Sequence, residues 1–356
     1  MNLKFFSKSK KMRHFNLLLL LLLSAMGQLF CVQENVENNF FILHKILNAH
    51  TSDVWALRFN PDGTWLASAS VDSTVRISSV TDGTNLVLLK HPQGVTSLDV
   101  SADGKYIATA SYDQKIRLWD ISTAALHRVF SGHLGTVWAV AFSPDGKYMV
   151  SCGEDRTIQL WNMTDSTPVK TFSGHQRNIW SVKFTPDGTK LISGSFDNTI
   201  KIWYVATGAE ILTLEGHKEA IVDLAISSDG RLLASGSDDA TIKLWSLLDG
   251  SLIRTLYGGG EHVQALCFSS DNKLLLSGGR DKTWFGEFMQ NIFGDSEYHK
   301  GTSMRLWDVS TGMVLQDFSD HANDVNDVTF SHDGQWVASA SSDKTVRLYK
   351  RKSWDK

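Results

Sequence analysis

One spacing runs through this chain from end to end. An Asp closing a short turn recurs at Asp72, Asp113, Asp155, Asp197, Asp239, Asp281 and Asp343, in steps of 41, 42, 42, 42, 42 and 62 residues. A fixed period of this length belongs to repeat architectures, whose unit is one supersecondary motif unable to bury its apolar face alone. The clearest copy runs from Gly216 to Leu256. In it, four short apolar runs at about 221–226, 232–237, 241–247 and 252–256 are separated by turn residues, which predicts four strands and no long helix. The first turn is Asn60-Pro61-Asp62-Gly63 in one copy and similar at 143–146 and 185–188. There Pro presets φ and Gly supplies φ > 0, so these are hairpins. A four-stranded sheet of this kind cannot cover both of its faces, whereas blades set around an axis each cover the next. The expectation is an all-β, seven-bladed propeller of four-stranded antiparallel blades over residues 40–350.

With 356 residues and 42% hydrophobic composition the chain can build a large core, divided between blades. Residues 1–27 carry Lys4, Lys8, Lys10, Lys11 and Arg13 and no acid; removing these five charges from the net −3 leaves −8 for the rest. A basic footprint for nucleic acid is therefore absent. The same 27 residues have a basic start, an apolar run through Leu17 to Leu23 and the small-residue stretch Ser24-Ala25-Met26-Gly27, the pattern of a secretory signal peptide. The chain is thus expected to be exported. Because residues 15–32 are 18 long, an uncleaved membrane anchor is the alternative, and the only membrane contact foreseen. Residues 28–39 read as a linker and 351–356 as a short tail. Cys152 and Cys267 fall on strands of different copies and read as buried small hydrophobes, with no disulfide framework or zinc spacing.

Gly216-His217 at the start of the unit and Trp245 on its third strand resemble the WD-repeat family, named for its Trp-Asp pair. Trp119-Asp120 and Trp307-Asp308 keep that pair; Trp161, Trp203 and Trp245 keep the Trp, and Ser78 and Tyr349 replace it. The resemblance implies that the last blade is closed by the N-terminal strand. Residues 41–47 align with a fourth strand but precede the first His50, and the last copy stops at its third strand near Tyr349. It also implies a buried chain in each blade, in which Trp donates to a hydroxyl, the hydroxyl to His, and His to Asp. The sets are His91, Thr109, Asp113 and Trp119; His133, Ser151, Asp155 and Trp161; His175, Ser193, Asp197 and Trp203; and His217, Ser235, Asp239 and Trp245. Ser, His and Asp also make the relay of hydrolases. Here the pattern repeats around the chain and the hydroxyl is engaged by Trp, so a structural role is expected, with no catalytic residue, metal or cofactor.

In the family, the Asp turn and the His loop share one rim, the top. Two variable positions line its entrance. The residue before the Asp is Val71, Tyr112, Glu154, Phe196, Asp238, Arg280 or Ser342; the second residue of the first strand is Trp55, Thr96, Trp138, Trp180, Val222, Gln264 or Asn326. Two residues further on every copy is aliphatic, from Leu57 to Val328, so a position that accepts both Trp and Asn is at least partly wet. Trp55, Tyr112, Trp138, Trp180 and Phe196, with Asp238 and Arg280 opposite, are the expected partner-binding residues. An insert at 284–303 in the sixth copy adds Phe288 on an amphipathic stripe that either packs on its own blade or binds a partner. The functional expectation is a non-catalytic scaffold that binds a protein or peptide on its top face. The alternative is an exported propeller that binds or processes a small ligand in its central channel.

Overall fold

The computed structural model describes residues 39–48, 50–257, 262–280 and 304–352, with only the backbone of Arg280. Residues 1–27, read as a leader, most of residues 28–39, read as a linker, and the insert at 284–303 with Phe288 lie outside the described residues. So do Asp281 and most of the tail.

Among the described residues, 28 strands form seven antiparallel sheets of four. Six blades take their strands in chain order. The seventh combines Val325–Phe330, Trp336–Ser341 and Val346–Arg351 with Phe41–Leu47, the first strand among the described residues. Phe41–Leu47 runs antiparallel to Val346–Arg351 from the pair Phe41↔Arg351 to the pair Leu47↔Val346. The propeller is thus closed by its N-terminal strand, as the strand count of the last copy required. The first strand of each blade packs on that of the next, and the first strand of blade seven packs on that of blade one.

The hydrophobic core sits between blades. Ala67, Val75, Ile77 and Leu89 of blade one meet Val95, Leu98, Ile107 and Trp119 of blade two. At the ring closure, Leu47, Ala340, Val346 and Leu348 of blade seven meet Val54, Leu57 and Leu66 of blade one. The second strands are buried on both faces, as in Trp65–Ser70 and Leu232–Ser237, which explains why they read as runs of Leu, Ala and Ser without alternation. The hairpin turns close as their composition dictates. Gly146 sits at φ 68°, and Ser143 Oγ donates to Asp145 at 2.6 Å while accepting the Tyr148 N–H at 2.9 Å.

The closing strand is also clasped from the side. Gln316, 7% exposed on the fourth strand of blade six (Val314–Phe318), accepts the Phe41 N–H at 3.0 Å and donates to the Phe41 carbonyl at 2.7 Å. Both polar groups of Phe41 are satisfied across a blade boundary. A chain lacking residues 1–38 should therefore remain soluble and melt cooperatively, whereas one lacking 1–47 should aggregate through the bared edge of Val346–Arg351. Size-exclusion chromatography and thermal melts of the two decide it; equal behaviour would mean that the edge needs no cover.

Candidate interaction surface

Each first strand carries the same irregularity. Its register to the second strand skips one residue in all seven blades, as between Val54 and Ala56 or Ile179 and Ser181. The skipped residue is therefore the extra residue of a β-bulge, which re-aims its side chain out of the ladder. These seven residues are Trp55, Thr96, Trp138, Trp180, Val222, Gln264 and Asn326, the variable set of the sequence reading.

Three of them come together. Trp138 and Trp180 stack with ring centroids 4.2 Å apart and planes 19° apart. Trp55 lies 6.1 Å from each. Phe196 stacks on Trp180 at 4.9 Å and 9°, and Tyr112 stands edge-on to Trp138 at 5.8 Å and to Trp55 at 6.3 Å. The five rings, from blades one to four, form one half-buried cluster that belongs to none of the hydrophobic cores between blades. The Nε1–H groups of Trp55 and Trp138 are buried in it with no hydrogen-bond partner among the described residues. Leaving such a donor unpaired costs ~1–3 kcal/mol. Burial, and then the charge of Asp53, pushes the Tyr112 phenol above its ordinary value, so it remains protonated at neutral pH.

The bulge position is not uniformly wet. Thr96 and Val222 are buried, at 4% and 6% exposure, and the Thr96 hydroxyl donates to the Val137 carbonyl of the next blade at 2.5 Å. Asp238 pairs with His262 Nδ1 at 3.1 Å. Arg280 closes its strand opposite His262, its side chain outside the description.

Below the rings, the channel wall is charged in a way that no periodicity announced. Arg58 reaches Asp327 at 3.1 Å and Asp99 at 3.6 Å. Asp99, Asp223 and Asp327 each accept a backbone N–H from the next blade, those of Phe142, Leu266 and Leu57, at 2.7 to 2.9 Å. Burial raises the Asp327 carboxyl against the pull of Arg58. These carboxylates are fastened to the scaffold, and the cavity lined by Asp223, Asp327 and the Trp rings is about 70 Å³. Ligand sites of drug size need roughly 300–1,000 Å³, so this space is too small for one.

The repeated polar residues form chains within the blades. In blade three Trp161 Nε1 donates to Ser151 Oγ at 2.8 Å, Ser151 meets His133 Nε2 at 2.7 Å, and His133 Nδ1 meets Asp155 at 2.8 Å. Since the hydroxyl already accepts from the indole, it donates to Nε2, which leaves the proton on Nδ1 for the carboxylate. The same contacts join Trp203, Ser193, His175 and Asp197, and Trp245, Ser235, His217 and Asp239. Burial alone would raise the Asp155 carboxyl, but hydrogen bonds from His133, Leu134 and Thr157 bring it down to about 2. The glycine of the Gly-His pair is a packing requirement: a Cβ on Gly174 would lie 3.0 Å from the tip of Trp203. Where Lys90 replaces that glycine, Trp119 is 7% exposed, against 0% to 3% for Trp161, Trp203, Trp245 and Trp307. In blade one His50, Ser68 and Asp72 hold the same contacts with Ser78 in the Trp place, and both Ser68 and His50 are buried.

Blade two departs from the expected chain. Trp119 donates to Thr109 and Thr109 bonds His91, but Asp113 turns to Arg117, with nitrogen–oxygen distances of 2.5 and 3.1 Å. The buried Arg117 takes the carboxylate that His91 was expected to hold, because a bidentate guanidinium pair outcompetes a single imidazole N–H. Burial, followed by the charge of Arg117, pushes His91 down to about 4.

Seven four-stranded blades with a Trp–hydroxyl–His–Asp chain recurring inside them define a repeat propeller whose polar motif is part of its scaffold. The chain belongs to the WD-repeat family: the model of the WD domain, G-beta repeat, matches residues 41–77, 83–120, 125–162, 166–204, 208–246, 250–285 and 312–350. A segment of 55 residues is 38% identical to Eukaryotic translation initiation factor 3 subunit I of Culex quinquefasciatus, covering 15% of this chain and 17% of that protein. Segments of 47 residues are 47% and 45% identical to WD repeat and SOCS box-containing protein 1 of Danio rerio and Xenopus tropicalis, covering 13% of this chain and 11% of each relative. The chain therefore spans less than a fifth of the length of these curated relatives.

His91 supplies a pH signature. Its folded pKa lies below the unfolded value, so the unfolded chain binds the extra proton and stability falls as pH drops from about 6.5 toward 4. Arg117→Gln releases Asp113 to His91 and should raise the His91 pKa. Melting temperature from pH 7 to 4.5 should then fall less in the variant than in the parent. Parallel profiles would show that Arg117 does not control His91.

Proposed function

We propose that this propeller is a non-catalytic interaction scaffold that binds a protein or peptide segment on its top face, through Trp55, Tyr112, Trp138, Trp180 and Phe196. The observation that carries the reading is the aromatic cluster itself: five rings re-aimed by bulges or placed on the adjoining turns, half-buried, and outside every core between blades. Large, rigid aromatic side chains of this kind dominate the energy of interfaces. The small cavity beneath them supports a surface ligand over one held in the channel. The repeated Ser, His and Asp are accounted for inside the blades, which favours a scaffold over an enzyme. Its family relatives include a translation initiation factor subunit and a SOCS box-containing protein, names that suit assembly roles. We further propose export of the chain through its basic and apolar leader at 1–27.

Two measurements test this. Trp138→Ala and Trp180→Ala should leave the melting temperature nearly unchanged while weakening capture of a protein partner by at least ~2 kcal/mol each. Asp197→Ala should do the reverse, lowering stability by about 1–3 kcal/mol through the orphaned His175 N–H. Trp variants that melt several degrees lower and still hold the partner would make the cluster core packing. For export, mass spectrometry of the natural protein should find a mature chain beginning near Gln28; an intact Met1 in a soluble cytosolic pool would overturn it.

A further inference from the structure

The aromatic cluster has a polarity of its own. Aromatic rings are negative on their faces and positive at their edges. Here the faces are largely spent on one another, with Trp138 on Trp180 at 4.2 Å and Trp180 on Phe196 at 4.9 Å. What such a stack has left to offer is mostly edges, and at two of these edges sit the Nε1–H groups of Trp55 and Trp138, which have no partner among the described residues. Tyr112, nearly perpendicular to Trp138, adds a phenol that stays protonated. The cluster is therefore rich in positive edges and donors, with open faces only on its outer rings.

The neighbouring carboxylates are held to the propeller: Asp53 accepts from Ser342 at 3.3 Å, Glu154 accepts the Thr136 N–H at 3.1 Å, and Asp238 pairs with His262. These bonds do not cancel the charges of Asp53 and Glu154, which by themselves would draw a cationic segment, whereas the two indole donors call for carbonyl acceptors; an arginine-rich peptide separates the two.

Resting on the interaction surface proposed above, we propose that its ligand is a proline-rich segment in the polyproline II conformation. Such a segment makes no internal hydrogen bonds, so its carbonyls are free to accept, and its prolines carry no N–H that would need an acceptor on the propeller. Aromatic-lined surfaces that donate to backbone carbonyls are the general way this conformation is read. The prolyl rings pack on the outer rings of the stack and in the corner made by Tyr112 and Trp138. The two indole N–H groups, sealed in the free cluster, turn to meet carbonyl oxygens, so binding relieves the unpaired donors.

The test uses the full propeller with labelled tryptophan, titrated with three synthetic decapeptides: all-proline, arginine-rich and Gly-Ser. The all-proline peptide should shift the indole N–H resonances of Trp55 and Trp138, saturate, and bind at least tenfold tighter than the other two. Trp55→Phe and Trp138→Phe together keep the apolar rings and remove both donors, and should weaken that binding severalfold without lowering the melting temperature. Equal or tighter binding of the arginine-rich peptide overturns the proposal, as does proline-peptide binding unaffected by the double variant. If capture of a protein partner depends on Trp138 while the all-proline peptide causes no shift, the proline assignment fails and the interaction surface stands.

Discussion

A four-stranded sheet that is apolar on both faces cannot exist alone in water, and the rest of this structure follows from that constraint. Each blade covers its neighbour, so the core is distributed over the blade boundaries instead of gathered at a centre. A row of such blades would still leave two faces bare at its ends. The ring removes the ends, and the pairing of Phe41–Leu47 with Val346–Arg351 holds it closed. Gln316 strengthens the same junction from the adjoining blade, giving Phe41 a polar partner outside its own sheet.

The boundaries are also fastened by polar bonds near the axis. Asp99, Asp223 and Asp327 each take a backbone N–H from the following blade, and Arg58 draws Asp99 and Asp327 together across blade one. Within the blades, the Trp–hydroxyl–His–Asp chains tie the start of the unit to its second and third strands. Charged and hydroxyl groups that would mark a reactive centre in another setting are consumed here in positioning strands. The β-bulge residues Trp55, Trp138 and Trp180 are employed by neither the ladder nor these chains.

Much of this was legible in the residues. The period gave the blades, the turn residues the hairpins, and the surplus strand at 41–47 with its missing counterpart after Tyr349 gave the closure. The candidate surface was legible only in part. Alternation of Trp with Thr, Gln and Asn marked the second residue of the first strand as variable. The reason, a one-residue shift of register, leaves no trace in composition, and Thr96 and Val222 turned out buried. Asp113 was assigned to His91 by its place in the repeat. Arg117 took it instead, because its partner lies four residues away on the next strand while the repeat says nothing of competing donors. The axial carboxylates were invisible for a related reason: their partners are backbone groups of another blade.

Closure by the first strand sets an order of events during synthesis. Phe41–Leu47 is the first strand to be made, and its partner Val346–Arg351 is the last, about 300 residues later. Its pairing is the longest-range contact in the sheet system, and such contacts form slowly because a long loop must close before they contribute. Until then every finished blade belongs to an open arc with a bare flank at each end. The ring therefore cannot close until Val346–Arg351 has been made, and Phe41–Leu47 waits for its native partner until then.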